Sequence, residues 1–232
     1  MSYYQPQIGV AAVKTLERSG VEVVCPLQNC CAMPALDEGR LELALGHMRR
    51  NAEHLAAAVR EGYEVVVPEP TCGMMLRKEY ADYLDSDDAR LVAEHTFDLA
   101  EYLVRLNREG KLNTDFAYPP GKIAYHMPCH LKYQAIGRRS VDLLKLILGA
   151  EVQLVDHACS GHDGTWAMKR DYHDLSLKVG AKRFQGIRDA GANMVATDCS
   201  LAALQIEEGT GEQVVHPMEI VWAAYADEEV PA

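Results

Sequence analysis

Apolar positions along the chain alternate between helical spacing and short continuous runs. In 8–19, Ile8, Ala11, Ala12, Val13 and Leu16 share one helix face, and the pattern stops at Gly20. Residues 21–24 are a β-branched run that predicts a buried strand. A long amphipathic helix is predicted over 36–61, stopped by Gly62, then a strand over 63–67, broken by Pro68 and Pro70. Another helix is predicted over 90–107, closing at Glu109-Gly110. Pro119-Pro120-Gly121 marks a boundary, after which strands are predicted at 122–126, 152–155, 194–197 and 213–215. Helices are predicted between and after them at 136–148, 171–188, 201–207 and 217–225. This alternation predicts an α/β fold with mainly parallel sheets, right-handed crossovers and both sheet faces covered.

The two series repeat one another. Residues 1–9 align without a gap on 129–137, and the helix and strand that follow match to within a residue or two. Cys30-Cys31 then falls opposite Cys159-Ser160, 21 residues after Gly9 and 22 after Gly137. Cys72 falls opposite Cys199. Two units are therefore expected, 1–118 and 119–232, each with thiols on loops after strands, where open α/β sheets place their ligands. The second-half trio is Cys129, Cys159 and Cys199; its first-half counterparts are residue 1, Cys30 and Cys72. Residue 1 is methionine, so the first unit is expected to be cut at its own first ligand and to lack its first strand, as in an N-terminally shortened chain.

Composition narrows the function. Thirty-four acidic against twenty-three basic residues give a charge of −11, which disfavours nucleic acid and anionic membranes as partners. No apolar run approaches the roughly 20 residues of a transmembrane helix, and the first residues lack the regions of a signal peptide. A cytoplasmic setting is expected, and there seven cysteines read as thiols, metal ligands or catalysts rather than disulfides. Thiolates select zinc, Cu(I) or iron–sulfur units, but the long spacings form no zinc knuckle or ferredoxin motif, so any site must be assembled from distant loops. Cys25 has no repeat counterpart and reads as a small buried hydrophobe.

His126, His130, His157 and His162 stand near the second-half cysteines as additional ligands or supporting residues, with Asp163 beside them. The loop 160–164, SGHDG, precedes a helical segment and can offer backbone N–H groups to a sulfide or anion. His162, Asp163 and Asp198 could form an acid/base set, but no nucleophile spacing supports it, and no catalytic residue is assigned. No GxGxxG fingerprint for a flavin or nicotinamide follows any strand. Met74, Met75 and Met127 read as core filling, and 85–90 (DSDDAR) as a helix N-terminus.

NCCAMPALDEG (29–39), PTCGMMLRKEY (70–80), YHMPCHLKYQAIG (125–137) and CSGHDGTWAMK (159–169) resemble the cysteine-rich CCG domains of the heterodisulfide reductase B subunit and of glycolate-oxidase and lactate-utilisation proteins. The likeness is strongest to the branch formed by the C subunit of anaerobic glycerol-3-phosphate dehydrogenase, where CSGHDGTW also replaces the usual CCG. It spans nearly the whole chain, without the N-terminal ferredoxin-like region such proteins usually carry. The resemblance implies an iron–sulfur cluster, of [4Fe–4S] type, held by Cys129, Cys159, Cys199, Cys30, Cys31 and Cys72. It implies an electron-transfer subunit working between a partner dehydrogenase and a quinone or other acceptor, placed at the inner face of the membrane through that partner. The chain departs from the full motif at Ala32, Met75, Ser160 and Ala202. Two alternatives stay open: a zinc-binding assembly module, with a histidine or water completing three thiolates, and a thiol–disulfide protein using Cys30 and Cys31 or Cys72.

Overall fold

The computed structural model describes residues 4–155 and 158–225. The fold is α/β. Its first half runs α1 (Pro6–Arg18), α2 (Met33–Asp37), α3 (Leu41–Arg60), β1 (Val65–Val67), α4 (Pro70–Met74), a π-helical turn (Met75–Glu79), α5 (Tyr80–Tyr83), α6 (Asp87–Glu94), β2 (Thr96–Asp98) and α7 (Leu99–Arg108). The second half runs β3 (Lys122–His126), α8 (Cys129–Tyr133), α9 (Arg139–Leu144), β4 (Glu151–Leu154), α10 (Arg170–Ala190), β5 (Met194–Thr197), α11 (Ser200–Thr210), β6 (Val214–Val215) and α12 (Pro217–Tyr225).

Among the described residues all strand pairs are parallel. β1 pairs with β2, and a four-stranded sheet has the order β4-β3-β5-β6. From β3 the chain moves to one side, into β4, then crosses back to β5 and on to β6. The loops after β3 and β5 therefore diverge, and the crevice between them is the switch point where doubly wound sheets take ligands.

Four helices end in the same two-bond motif, in which N–H groups of the two residues after the cap return to carbonyls of the last turn. Three of these ends, at Gly20, Gly62 and Gly110, are the expected stops. The fourth lies inside the helix expected at 36–61: Gly39 N–H bonds Leu36 and Arg40 N–H bonds Ala35, with Gly39 at φ +69°. That left-handed residue divides the segment into α2 and α3.

Two further expectations are corrected. The helix expected at 90–107 is interrupted by β2, because Thr96–Asp98 lies parallel to Val65–Val67 and Asp98 then caps α7 through Ala100 and Glu101 N–H. The strand expected at 21–24 does not form. In the second half its counterpart β4 pairs with β3 alone, and among the described residues the first half holds no counterpart of β3. Val21 and Val23 instead pack half-buried on the core.

The largest core belongs to both halves. Leu16 of α1 and Leu99 and Leu103 of α7 are buried in one cluster with Ile123, Tyr125, Leu144 and Val221. α1 lies against α12, with Lys14 over the Trp222 ring and Arg18 over Tyr225, each 4.9 Å from the centroid. A second core lies among α3, α6 and the π-helical turn, and a third among α10, α11 and β5. Among the described residues no helix is long and apolar enough to cross a membrane.

Candidate metal centre

In the first half the expected thiols come together. Cys30 and Cys31 lie on the extended segment before α2, and Cys72 lies in α4. Their side chains are neighbours in a row, Cys30 beside Cys31 and Cys31 beside Cys72. Asn51 of α3 pins the segment: its Oδ1 accepts from Asn29 N–H at 2.7 Å, and its Nδ2 donates to the Cys30 carbonyl at 3.1 Å and to Tyr80 Oη at 3.0 Å. Tyr80 in turn donates to the Cys31 carbonyl at 3.3 Å. The hydrogen bond to Cys31 and then burial hold the Cys30 thiol far above its ordinary range. At Cys31 the bond from Cys30 favours the thiolate, but the bond to Cys72 and burial prevail and push the thiol up to about 12.

The second-half trio divides. Cys129 opens α8, directly after β3, and Cys159 lies exposed on the loop after β4. Burial raises the Cys129 thiol, and the charge of a Cys159 thiolate raises it further. Gly161 N–H of the SGHDG loop donates to the nearby Cys159 Sγ at 3.3 Å. Cys199 differs from both: it is buried at the N-cap of α11, its thiol raised by burial and then by the Glu69 carboxylate. Cys25, expected to be buried, is exposed, because the segment that carries it joins no sheet.

The histidines also separate. Burial, and after it the Arg183 charge, lowers His126 to about 3; the ring is neutral, and its Nδ1 has no hydrogen-bond partner among the described residues. His162 is likewise lowered by burial, with Nδ1 unpartnered among the described residues. His130, lowered by burial, shares a 2.8 Å hydrogen bond with the Thr71 hydroxyl. Asp163 is exposed at φ +49°, on the rim of a 550 Å³ cleft between the halves that Met33, Met75, Tyr83 and Trp166 also line. His157 lies outside the described residues.

What joins the two thiol sets is a strap, residues 68–72. The Pro68 carbonyl meets His216 Nε2 at 3.1 Å, Glu69 takes two bonds from Ser200, and the Pro70 carbonyl accepts from Gln134 Nε2 at 3.0 Å. Thr71 meets His130. Each bond lands just beyond a second-half strand, on α8 or at its C-cap, and α4 with Cys72 lies against α8 with Cys129. Behind the strap two carboxylates are buried together. Asp198 accepts from Tyr125 Oη and Ser140 Oγ, while Asp98 is held well above the ordinary carboxylate range by burial and then by the Asp198 charge.

Asn51, Glu69, Tyr80, Asp98 and Gln134 were absent from the sequence expectations. Asp98 alone had a local signal, the capping-box spacing to Glu101. The others work through partners remote in the chain.

Among the described residues, no three His, Cys, Asp or Glu side chains converge as one metal ion requires. The donor set nonetheless suits a polynuclear group, whose ligands stand farther apart. Several reduced thiols lie together, and each proton they keep is one that a cationic cluster would displace.

A family model for the CCG cysteine-rich domain matches residues 1–77 and 123–207. The C subunit of anaerobic glycerol-3-phosphate dehydrogenase from Escherichia coli K12 is 31% identical over 228 residues, covering 97% of this chain and 57% of that protein. The chain thus spans little more than half of that relative's length. Lactate utilization protein A from Geobacillus thermodenitrificans is 28% identical, covering 84% of this chain and 82% of its own. The B subunit of fumarate reductase (CoM/CoB) from Methanothermobacter marburgensis is 27% identical, covering 98% of this chain and 45% of its own.

Proposed function

The chain belongs to the CCG cysteine-rich domain family, and from that premise we propose that it binds an iron–sulfur cluster and passes electrons as a subunit of an oxidoreductase. The observation that carries this reading is the chain of reduced thiols Cys30–Cys31–Cys72, assembled from a loop and a helix distant in sequence. In this reading these three cysteines hold a [4Fe–4S] cluster, and Cys129, Cys159 and Cys199 form the related set of a second repeat, the repeats being 1–118 and 119–232. Support for the repeat comes from β1–β2 and β5–β6, parallel pairs at corresponding places in the two halves.

When bound, the cluster supplies one-electron chemistry. The chain's own residues orient and shield. Asn51 and Tyr80 fix the Cys30-Cys31 backbone, and Gly161 N–H donates to Cys159 sulfur. His126, His130, His162 and Asp163 line or support the second-half loops, and His157 belongs to the same group by sequence. The names of two relatives, one part of a dehydrogenase and one part of a reductase, support a redox partner. The partner is taken to be a dehydrogenase, the acceptor a quinone or another carrier, and the setting the cytoplasm or its membrane face. The 550 Å³ cleft beside His130 is where a small acceptor would approach.

A second reading rests on the same thiols: without metal, Cys31 and Cys72 are close enough to cycle as a disulfide. Zinc in place of iron is a third reading. Anaerobic purification followed by iron, sulfide and zinc analysis separates them. Iron and acid-labile sulfide in equal amounts, lost in Cys31→Ser and Cys72→Ser, are expected. A colourless protein with stoichiometric zinc, or with no metal and a reversible disulfide, overturns the cluster assignment.

A further inference from the structure

The first half of α10 has its apolar side on the outside. Inward it presents Ser176, Gly180 and Arg183, all buried. These residues serve the Cys159 loop: Arg183 donates to the Ala158 carbonyl, and a Cβ on Gly180 would lie 2.4 Å from the Ser160 carbonyl oxygen. Outward it presents Tyr172, Leu175 and Val179, at 43%, 51% and 45% exposure, with Met168 at 59% in the turn just before the helix. The steps of three and four residues are those of a helix–helix seam. Elsewhere large exposed apolar side chains are scattered, as is ordinary; here they form one stripe.

The charges beside the stripe say what covers it. Asp171 and Lys178 flank it on the same side, both exposed, and neither makes an ion pair among the described residues. Place a second α10 antiparallel to the first, about a two-fold axis midway between Tyr172 and Leu175. Tyr172 of each copy then meets Leu175 of the other, and Val179 meets the turn carrying Met168. On the flank, Asp171 of each copy comes within reach of Lys178 of the other, so both charge pairs have opposite sign. A parallel pairing would instead direct these charges at Ser176 and Arg183, which are buried within the same copy. The surface complements itself only in the antiparallel arrangement.

We infer that α10 is the contact of a two-fold symmetric homodimer, in which the Tyr172–Leu175–Val179 stripe packs antiparallel on its own copy and Asp171 pairs with Lys178. One helix pair is a small interface, so the dimer is weak and concentration-dependent. It also sets the Trp166–Tyr172 ring stack, with centroids 5.4 Å apart, between the dimer seam and the cleft.

The test is sedimentation velocity on the full chain, kept reduced so that exposed cysteines cannot cross-link copies. The wild type should show a reversible monomer–dimer equilibrium, and Leu175→Glu should weaken it on the order of a hundredfold. Asp171→Lys and Lys178→Asp should each weaken self-association about tenfold by setting like charges together. Mixing these two variants should restore association, because every facing pair again has opposite sign. All three positions are exposed, and unchanged circular dichroism would confirm that each variant folds. A wild type that stays monomeric at every concentration overturns the inference, as does a dimer indifferent to Leu175→Glu or a mixture that associates no better than its components.

Discussion

Ser200 donates both its backbone N–H, at 3.2 Å, and its hydroxyl, at 2.8 Å, to one carboxylate oxygen of Glu69. Ser200 follows Cys199, and Glu69 stands three residues before Cys72, so a single side chain sets one cysteine element against the other. Hydrogen bonds to a charged group contribute about 1.5–3 kcal/mol each, more than neutral ones. Glu69→Ala is therefore expected to lower the unfolding free energy by about 2–4 kcal/mol in urea. Glu69→Gln, which keeps an acceptor, should cost less than half as much. Equal losses in the two variants would show that the carboxylate only fills space.

Asp98 makes stability depend on pH in an unusual direction for a carboxylate. Burial, then the Asp198 charge, raises its folded pKa, while in the unfolded chain it titrates near about 4. The native state thus holds a proton that the unfolded state has released, and stability falls as pH rises from about 4 towards neutrality, by up to about 1.4 kcal/mol per pH unit. Asp98→Asn retains an oxygen to cap α7 at Ala100 and Glu101 and removes the titration. Urea melts between pH 5 and 8 should show a falling wild-type curve and a flatter variant one, the variant gaining most at the alkaline end. Parallel curves would sink this assignment.

Gly161 stands at φ +91°, and a Cβ there would lie 2.2 Å from the Ser176 carbonyl oxygen, a backbone atom that cannot step aside. Gly191 is also left-handed, at φ +53°, but has open space around it. Gly161→Ala is expected to destabilise by about 2–3 kcal/mol, through strain plus overlap. Gly191→Ala should cost only about 1 kcal/mol, from strain alone. Only the first should also displace the loop whose Gly161 N–H meets Cys159, visible as faster alkylation of that cysteine.

Most helices and strands were legible because their signals are local: glycine stops, apolar periodicity, and β-branched runs such as Val65–Val67. Two of the failures share one cause. Residues 21–24 carry a strand's composition, but a strand exists only with a partner. Thr96–Asp98 sits inside a helical pattern and is a strand because Val65–Val67 lies beside it. The site divides in the same way. The internal repeat singled out Cys30 and Cys72, the family resemblance added Cys31, and the structure brings the three together. Cys199 is buried against Glu69 of the strap while Cys129 and Cys159 are exposed, and Glu69 carries no mark of that role in its own neighbourhood.

The strap and the shared core also change what the connector between the halves is for. Thr114 and Asp115 are exposed within it, an accessible place for a protease to cut. After such a cut Leu16, Leu99 and Leu103 would still be buried with Tyr125 and Val221, and the bonds from Pro68, Glu69, Pro70 and Thr71 would still hold. The two fragments would migrate as one particle and exchange with labelled fragments only as fast as the whole protein unfolds. Peptide continuity between the halves gives the chain its order of synthesis; its integrity as a particle comes from contacts that a nick leaves intact.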